Sequence, residues 1–288
     1  MKAFFASALV IASTFFLGAG CTLVREHEQT RLPVVATTII PLNSAVQNIL
    51  AGVADVETVL PPGADPHDVS LSTDQIQSIQ NARVIVTLGL HLDDWVQSGI
   101  AATGSKAPVI IASRYLDLSP SETNPHVWLS PKKMLVIVEG LEQDFENQFP
   151  ESKEKIAANA DAYEKQLHDL DESYEQIRTL PQHEIVTLHD AFGYLAQDYG
   201  LTAVAIKDIP EENPSPEDVA KVIAVLNKNP RMPIFAESEV SPGIVTTIAH
   251  DTGRAVNILD PIEVAAPTPD AYIKIMRSNL MNLIQALQ

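Results

Sequence analysis

Residues 151–180, ESKEKIAANADAYEKQLHDLDESYEQIRTL, run for thirty positions without a glycine or a proline, and Ile156, Tyr163, Leu167, Leu170 and Ile177 recur along them at helical spacing. A helix this long and this charged cannot be buried on every side, so what flanks it decides the architecture. Before it, the apolar runs LPVVATTI (32–39), VETVL (56–60), RVIVTLG (83–89) and APVIIA (107–112) alternate with the helical segments LNSAVQNILAG, STDQIQSIQNA and LDDWVQSGIAA. After it the alternation restarts. HEIVTLH (183–189), LTAVAI (201–206), RMPIFAE (231–237) and RAVNILD (254–260) read as strands, and AFGYLAQDYG, SPEDVAKVIAVLNKN, SPGIVTTIAHDTG and PDAYIKIMRSNLMNLIQAL as helices. Such βα alternation predicts mainly parallel sheets. A sheet on each side of one helix predicts two similar α/β lobes, 32–150 and 181–288, joined by a rigid link over 151–180, where a flexible joint would be rich in glycine and serine. Ser130-Pro131, Ser215-Pro216 and Ser241-Pro242 mark helix starts, each a capping hydroxyl followed by a proline in the first turn.

The opening MKAFFASALVIASTFFLGAGC has one lysine, an apolar run from Ala3 to Leu17 that is short for a bilayer span, and then Gly18, Ala19 and Gly20. It predicts a secretory signal peptide over 1–20 and a tether over 21–31. Cys21 is the only cysteine and stands at the cleavage junction. LGAGC resembles a bacterial lipobox, although Gly18 occupies the position where a large aliphatic residue is usual. The expectation is an exported chain, periplasmic or on the outer face of the cell membrane, lipid-anchored through Cys21. Acidic residues outnumber basic ones by 37 to 19, for a net charge of −18, and the basic residues form no run. A nucleic-acid partner is excluded on that ground, because phosphate binding needs clustered Lys and Arg.

In open α/β sheets ligands bind beyond the carboxyl ends of the strands. His189 ends one predicted strand, Glu237 another and Asp260 a third, while His67 follows the second strand and His126 precedes the helix at 131. Metal-capable side chains from both lobes are thus expected in one cleft. Three imidazoles and a carboxylate, with no thiolate available, suit a divalent ion and above all tetrahedral zinc. Two of the histidines sit in Asx-Pro-His triplets, Asp65-Pro66-His67 and Asn124-Pro125-His126, whose prolines stiffen the backbone that delivers them. Glu237 could accept a hydrogen bond from a liganding imidazole or cap the next helix, Asp260 before Pro261 could also begin a turn, and His91 could line the cleft. His27, His168, His183 and His250 read as solvated side chains. No G-x-S-x-G elbow, phosphate loop, dinucleotide fingerprint or H-E-x-x-H helix occurs, so a carrier is favoured over an enzyme.

PPGADPHDVSLSTDQIQSIQNARVIVTLGLHLDDW, NPHVWLSP, ANADAYEKQLHDLDESY, TLHDAFGYLAQDYGL, PSPEDVAKVIAVLNKN, IFAESEVSP and LDPI together resemble, in order and spacing, the motifs of zinc and manganese solute-binding proteins of bacterial ABC transporters. The resemblance covers nearly the whole chain from about residue 33. It implies two α/β lobes joined by a rigid helix, a metal held between the lobes, and delivery of that ion to a membrane permease; the rigid link itself predicts limited hinge closure, and the chain is expected to be a monomer. The resemblance places the ligands at His67, His126, His189 and Asp260, with Glu237 in a motif that is not usually a direct ligand. Manganese-type members tend to carry a carboxylate at the position of His189, which points to Zn2+ with Mn2+ as the alternative. A secreted zinc hydrolase using the same residues, or an additional role in surface adhesion, are the readings from other classes. RYLDLSPSETNPH is short and has one imidazole, where many zinc-type relatives carry a long His- and Asp-rich loop.

Overall fold

In the computed structural model, which describes residues 31–61, 63–207, 215–237 and 243–288, all eight expected strands form. The first sheet holds β1 (Val34–Thr37), β2 (Asp55–Thr58), β3 (Val84–Thr87) and β4 (Val109–Ile111) in the order β2-β1-β3-β4. The second holds β5 (Glu184–His189), β6 (Thr202–Lys207), β7 (Ile234–Glu237) and β8 (Val256–Leu259) in the order β6-β5-β7-β8. Every pairing is parallel, and the two orders are the same pattern repeated. The strand order reverses between β1 and β3 and again between β5 and β7, so each sheet opens a crevice at its carboxyl edge.

The crossovers are α1 (Ile40–Ile49), α2 (Thr73–Asn81) and α3 (Trp95–Thr103) in the first half, and α6 (Gly193–Tyr199), α7 (Pro216–Lys228) and α8 (Gly243–Asp251) in the second. Ser72 and Ser215 close capping boxes with Gln75 and Asp218, satisfying helix-start amides that would otherwise lack acceptors. Ser130 caps α4 (Pro131–Gln148) through the amide of Lys133, with Pro131 in the first turn. Ser241-Pro242 lies outside the described residues, as do the signal peptide and Cys21.

The expected link is α5 (Lys153–Glu175), flanked by 3-10 turns at Pro150–Ser152 and Gln176–Thr179. It buries Ile156, Ala160, Tyr163, Leu167, Leu170 and Tyr174 along one stripe and leaves its charges outside. That stripe packs on α4, on α1 and on the closing helix α9 (Ala271–Leu287). Each such large apolar side chain contributes about 1.5–3 kcal/mol when taken from water. One continuous core therefore runs from Val35 and Val86 of the first sheet through α4, α5 and α9 to Ile185, Phe235 and Leu259 of the second. α7 and α8 close over a smaller core around Val186, Ile234 and Val245. Tyr174 donates to the carbonyl of Met276 at 2.7 Å and Ser44 to that of Pro269 at 2.8 Å, tying the end of the chain back to α5 and α1.

Gly140 of α4 faces the ring of Tyr115, and a Cβ there would overlap that ring. Gly140→Ala is expected to cost about 1–3 kcal/mol, as overpacking does. Chemical denaturation would show a lower midpoint at unchanged slope; an unchanged midpoint would contradict the packing described.

Candidate metal centre

Asp65 Oδ1 accepts from the amide of His67 at 2.8 Å, and Asn124 Oδ1 accepts from the amide of His126 at 3.0 Å. Both Asx-Pro-His triplets thus close the same turn, in which the Asx oxygen reaches over the proline to the histidine amide. The third Asx-Pro in this region behaves identically, for Asp260 Oδ1 accepts from the amide of Ile262 at 2.7 Å across Pro261. Three stiff turns, two after the first sheet's strands and one after β8, aim at one place.

His67 and His126 meet there with their Nε2 atoms 3.3 Å apart, and His189, the last residue of β5, brings its Nε2 to 3.2 Å from that of His126. The fourth group is Glu263. Its Oε1 lies 3.1 Å from His126 Nε2, 3.4 Å from His67 Nε2 and 3.7 Å from His189 Nε2. One ligand atom from each of the four lies within 4.8 Å of all the others. A tetrahedral zinc with bonds of 2.0–2.1 Å would set its donors about 3.3 Å apart, so the spacing fits such an ion.

The three histidines expected as ligands are therefore brought together, and the carboxylate that lies with them is Glu263 rather than the expected Asp260. Asp260 is not in the cluster: its Oδ1 serves the Ile262 amide while its own amide is held by Asn279 Oδ1 at 2.9 Å. Ile262 then takes a left-handed φ of 62°, rare for a β-branched residue, and this swing carries Glu263 inward. Trp128 fixes the same turn by donating from Nε1 to the carbonyl of Pro261 at 2.8 Å, and Tyr272 fixes Trp128 by donating to its carbonyl at 2.7 Å.

Glu237, at the end of β7, is buried and its Oε1 meets His189 Nδ1. This carboxylate orients the ring so that Nε2 faces the cluster, the usual support for a metal-binding imidazole. The remaining expectations divide. His91 is exposed, bonds to Asp94 at 2.9 Å and stands outside the cluster. His168, His183 and His250 are exposed, and His27 lies outside the described residues.

Burial sets the charge states. Loss of solvent drives the His126 imidazolium down to about 4, and the neighbouring His189 and His67 charges add to the fall against the pull of Glu263. His189 is also desolvated, but hydrogen bonds to Glu237 and Glu263 outweigh that and raise it to about 9. Burial would raise Glu263, yet hydrogen bonds from His126, His189 and His67 hold it well below the usual carboxylate range. The cluster thus has an anionic carboxylate, a neutral His126 and a protonated His189 near neutrality. His67, at 13% side-chain exposure against 0% for His189 and 4% for His126, is the histidine that solvent reaches.

The family model described as zinc-uptake complex component A, periplasmic, matches residues 35–286. The zinc-binding lipoprotein AdcA of Streptococcus pneumoniae strain R6 is 29% identical over 275 residues, covering 87% of this chain and 55% of its own length. The chain therefore spans about half the length of that curated relative. The manganese-binding lipoprotein MntA of Halalkalibacterium halodurans is 25% identical over 297 residues and 99% of both chains. Among solved structures, the periplasmic zinc-binding protein TroA of Treponema pallidum superposes with a TM-score of 0.79 at 25% identity, covering 89% of this chain and 99% of its own.

Proposed function

We propose, because the chain belongs to the family of periplasmic zinc-uptake complex component A, that it is an extracytoplasmic solute-binding protein that captures Zn2+ and hands it to an ABC-type permease. The observation that carries this reading is the cluster of three imidazole nitrogens and one carboxylate oxygen from His67, His126, His189 and Glu263. Nitrogen-rich donor sets of this kind favour zinc, and the affinity order among divalent ions runs the same way against manganese. Four protein donors fill a tetrahedron, whereas a catalytic zinc keeps a position open for water or substrate. The arrangement suits carriage rather than hydrolysis. Titration of metal-free protein with Zn2+ against a chelator of known affinity should show one tight site per chain, and Mn2+ should displace the zinc only in large excess. Absence of a one-to-one site, or preference for Mn2+, would overturn the reading.

The acidic, monomeric protein would work outside the cytoplasm, held to a membrane by a lipid on Cys21; no helix among the described residues is long and apolar enough to cross a membrane. The signal-like start, the lone cysteine at its end and the names of the lipoprotein relatives support this placement. Cys21→Ser is expected to move the protein from the membrane fraction to the soluble one. Retention of the variant on membranes would count against the anchor.

A further inference from the structure

Asn124 does more in its triplet than Asp65 does in the first. Its Oδ1 accepts from the amide of His126 and also lies 2.8 Å from His126 Nδ1. Its Nδ2 points the other way, donating to the carbonyl of Asp190 at 2.7 Å and reaching Asp190 Oδ2 at 3.3 Å. The amide's orientation is fixed from both ends, because one end meets a backbone N–H and the other meets two acceptors. With oxygen facing the ring, His126 keeps its proton on Nδ1 once a metal takes Nε2, the nitrogen that faces the cluster.

Asp190 is the residue after His189, so this one amide joins the loop that presents His126 to the strand end that presents His189. The two belong to opposite sheets. Tyr194 of α6 adds a second tie by donating to the carbonyl of Asn124 at 3.0 Å. Gly193 leaves room for the contact, since a Cβ there would stand 3.2 Å from Asp190 Oδ1 and 3.6 Å from Asn124 Nδ2. An aspartate serves at the other two Asx-Pro turns, but at 124 it would set a second anion against the Asp190 carbonyl and carboxylate.

We propose that Asn124 is a positioning residue that couples the Nδ1–H tautomer of His126 to the junction between the lobes, and that its bond to Asp190 slows release of the bound metal. This role rests on the zinc-carrier reading above. The separation of the two halves of the amide makes it testable. Asn124→Ala removes both halves, whereas Asn124→Asp keeps an oxygen for His126 and loses the donor to Asp190.

The test uses the zinc-loaded protein, with release followed by chelator chase and the His126 tautomer by long-range 15N–1H NMR. Asn124→Ala should release zinc about 10–100-fold faster, the usual cost of losing a group that supports a ligand, and His126 should lose its single-tautomer signature. Asn124→Asp should keep the Nδ1–H signature and still release zinc at least about tenfold faster. Release within twofold of wild type from both variants would overturn the proposal. So would an Asn124→Asp protein that releases zinc at the wild-type rate while only Asn124→Ala is fast, because the link to Asp190 would then do nothing. Wild-type protein that fails to bind zinc would instead overturn the carrier reading, so the two failures are distinguishable.

Discussion

Glu263→Gln is expected to weaken zinc binding by about two orders of magnitude, and by more than Asp260→Asn, three residues away and equal in charge lost. The figure follows from dividing a typical four-ligand zinc binding energy of about 10–16 kcal/mol by its donors, roughly 3 kcal/mol each, at 1.4 kcal/mol per decade. The ranking follows from where each carboxylate lies. Glu263 Oε1 faces three imidazole nitrogens, and its replacement removes the carboxylate that meets all three. Asp260 Oδ1 accepts from the Ile262 amide, a bond the side-chain oxygen of asparagine makes equally well. Chelator competition with the two purified variants decides between them. If Asp260→Asn loses zinc and Glu263→Gln keeps it, the donor set derived above is wrong.

The exchange of Asp260 for Glu263 shows where the sequence stops being readable. All eight strands can be placed from short β-branched runs, which burial on both faces demands of central strands such as β3 and β7. His67 and His126 stand out because an Asx-Pro turn leaves the next residue little freedom. The same logic applied to LDPIE points to Asp260, whereas the acid that lies in the cluster is Glu263. Asp260 occupies the Asx position, where Asp65 and Asn124 each give an oxygen to an amide two residues on. Treating the three triplets as one motif would have assigned Asp260 to the turn and sent the search for a ligand to Glu263. What no pattern could supply is the left-handed Ile262, since β-branched residues avoid that region and only the surrounding packing holds one there.

The link over 151–180 was similarly half legible. Its apolar spacing identifies the helix and the stripe that is buried, down to Ile156, Tyr163, Leu167 and Leu170. What covers that stripe depends on α9, which arrives from the far end of the chain to pack on α1 and α5. Contacts separated by so much sequence leave no local signature.

Zinc uptake near neutral pH should release about one proton per ion, and the apparent affinity should climb about tenfold per pH unit between pH 7 and about 9. His189 is the source. Its imidazolium is stabilised between Glu237 and Glu263, so its folded value of about 9 means the proton is present at pH 7 and must leave before Nε2 can bind metal. His126, already neutral above about 4, and the anionic Glu263 release none in this range. Above pH 9 His189 is neutral in the metal-free protein and the slope should vanish. Calorimetric titration in buffers of different ionisation enthalpy measures the proton count directly. Glu237→Gln supplies the control, because a neutral amide no longer stabilises the imidazolium. The count near pH 7.5 should fall and the slope above pH 7 should become shallower, because Glu263 alone then holds the imidazolium, while loss of the orienting carboxylate weakens binding about 10–100-fold at pH 9. A wild-type count near zero at pH 7.5 would mean that His189 is not the proton store that its two carboxylates make it.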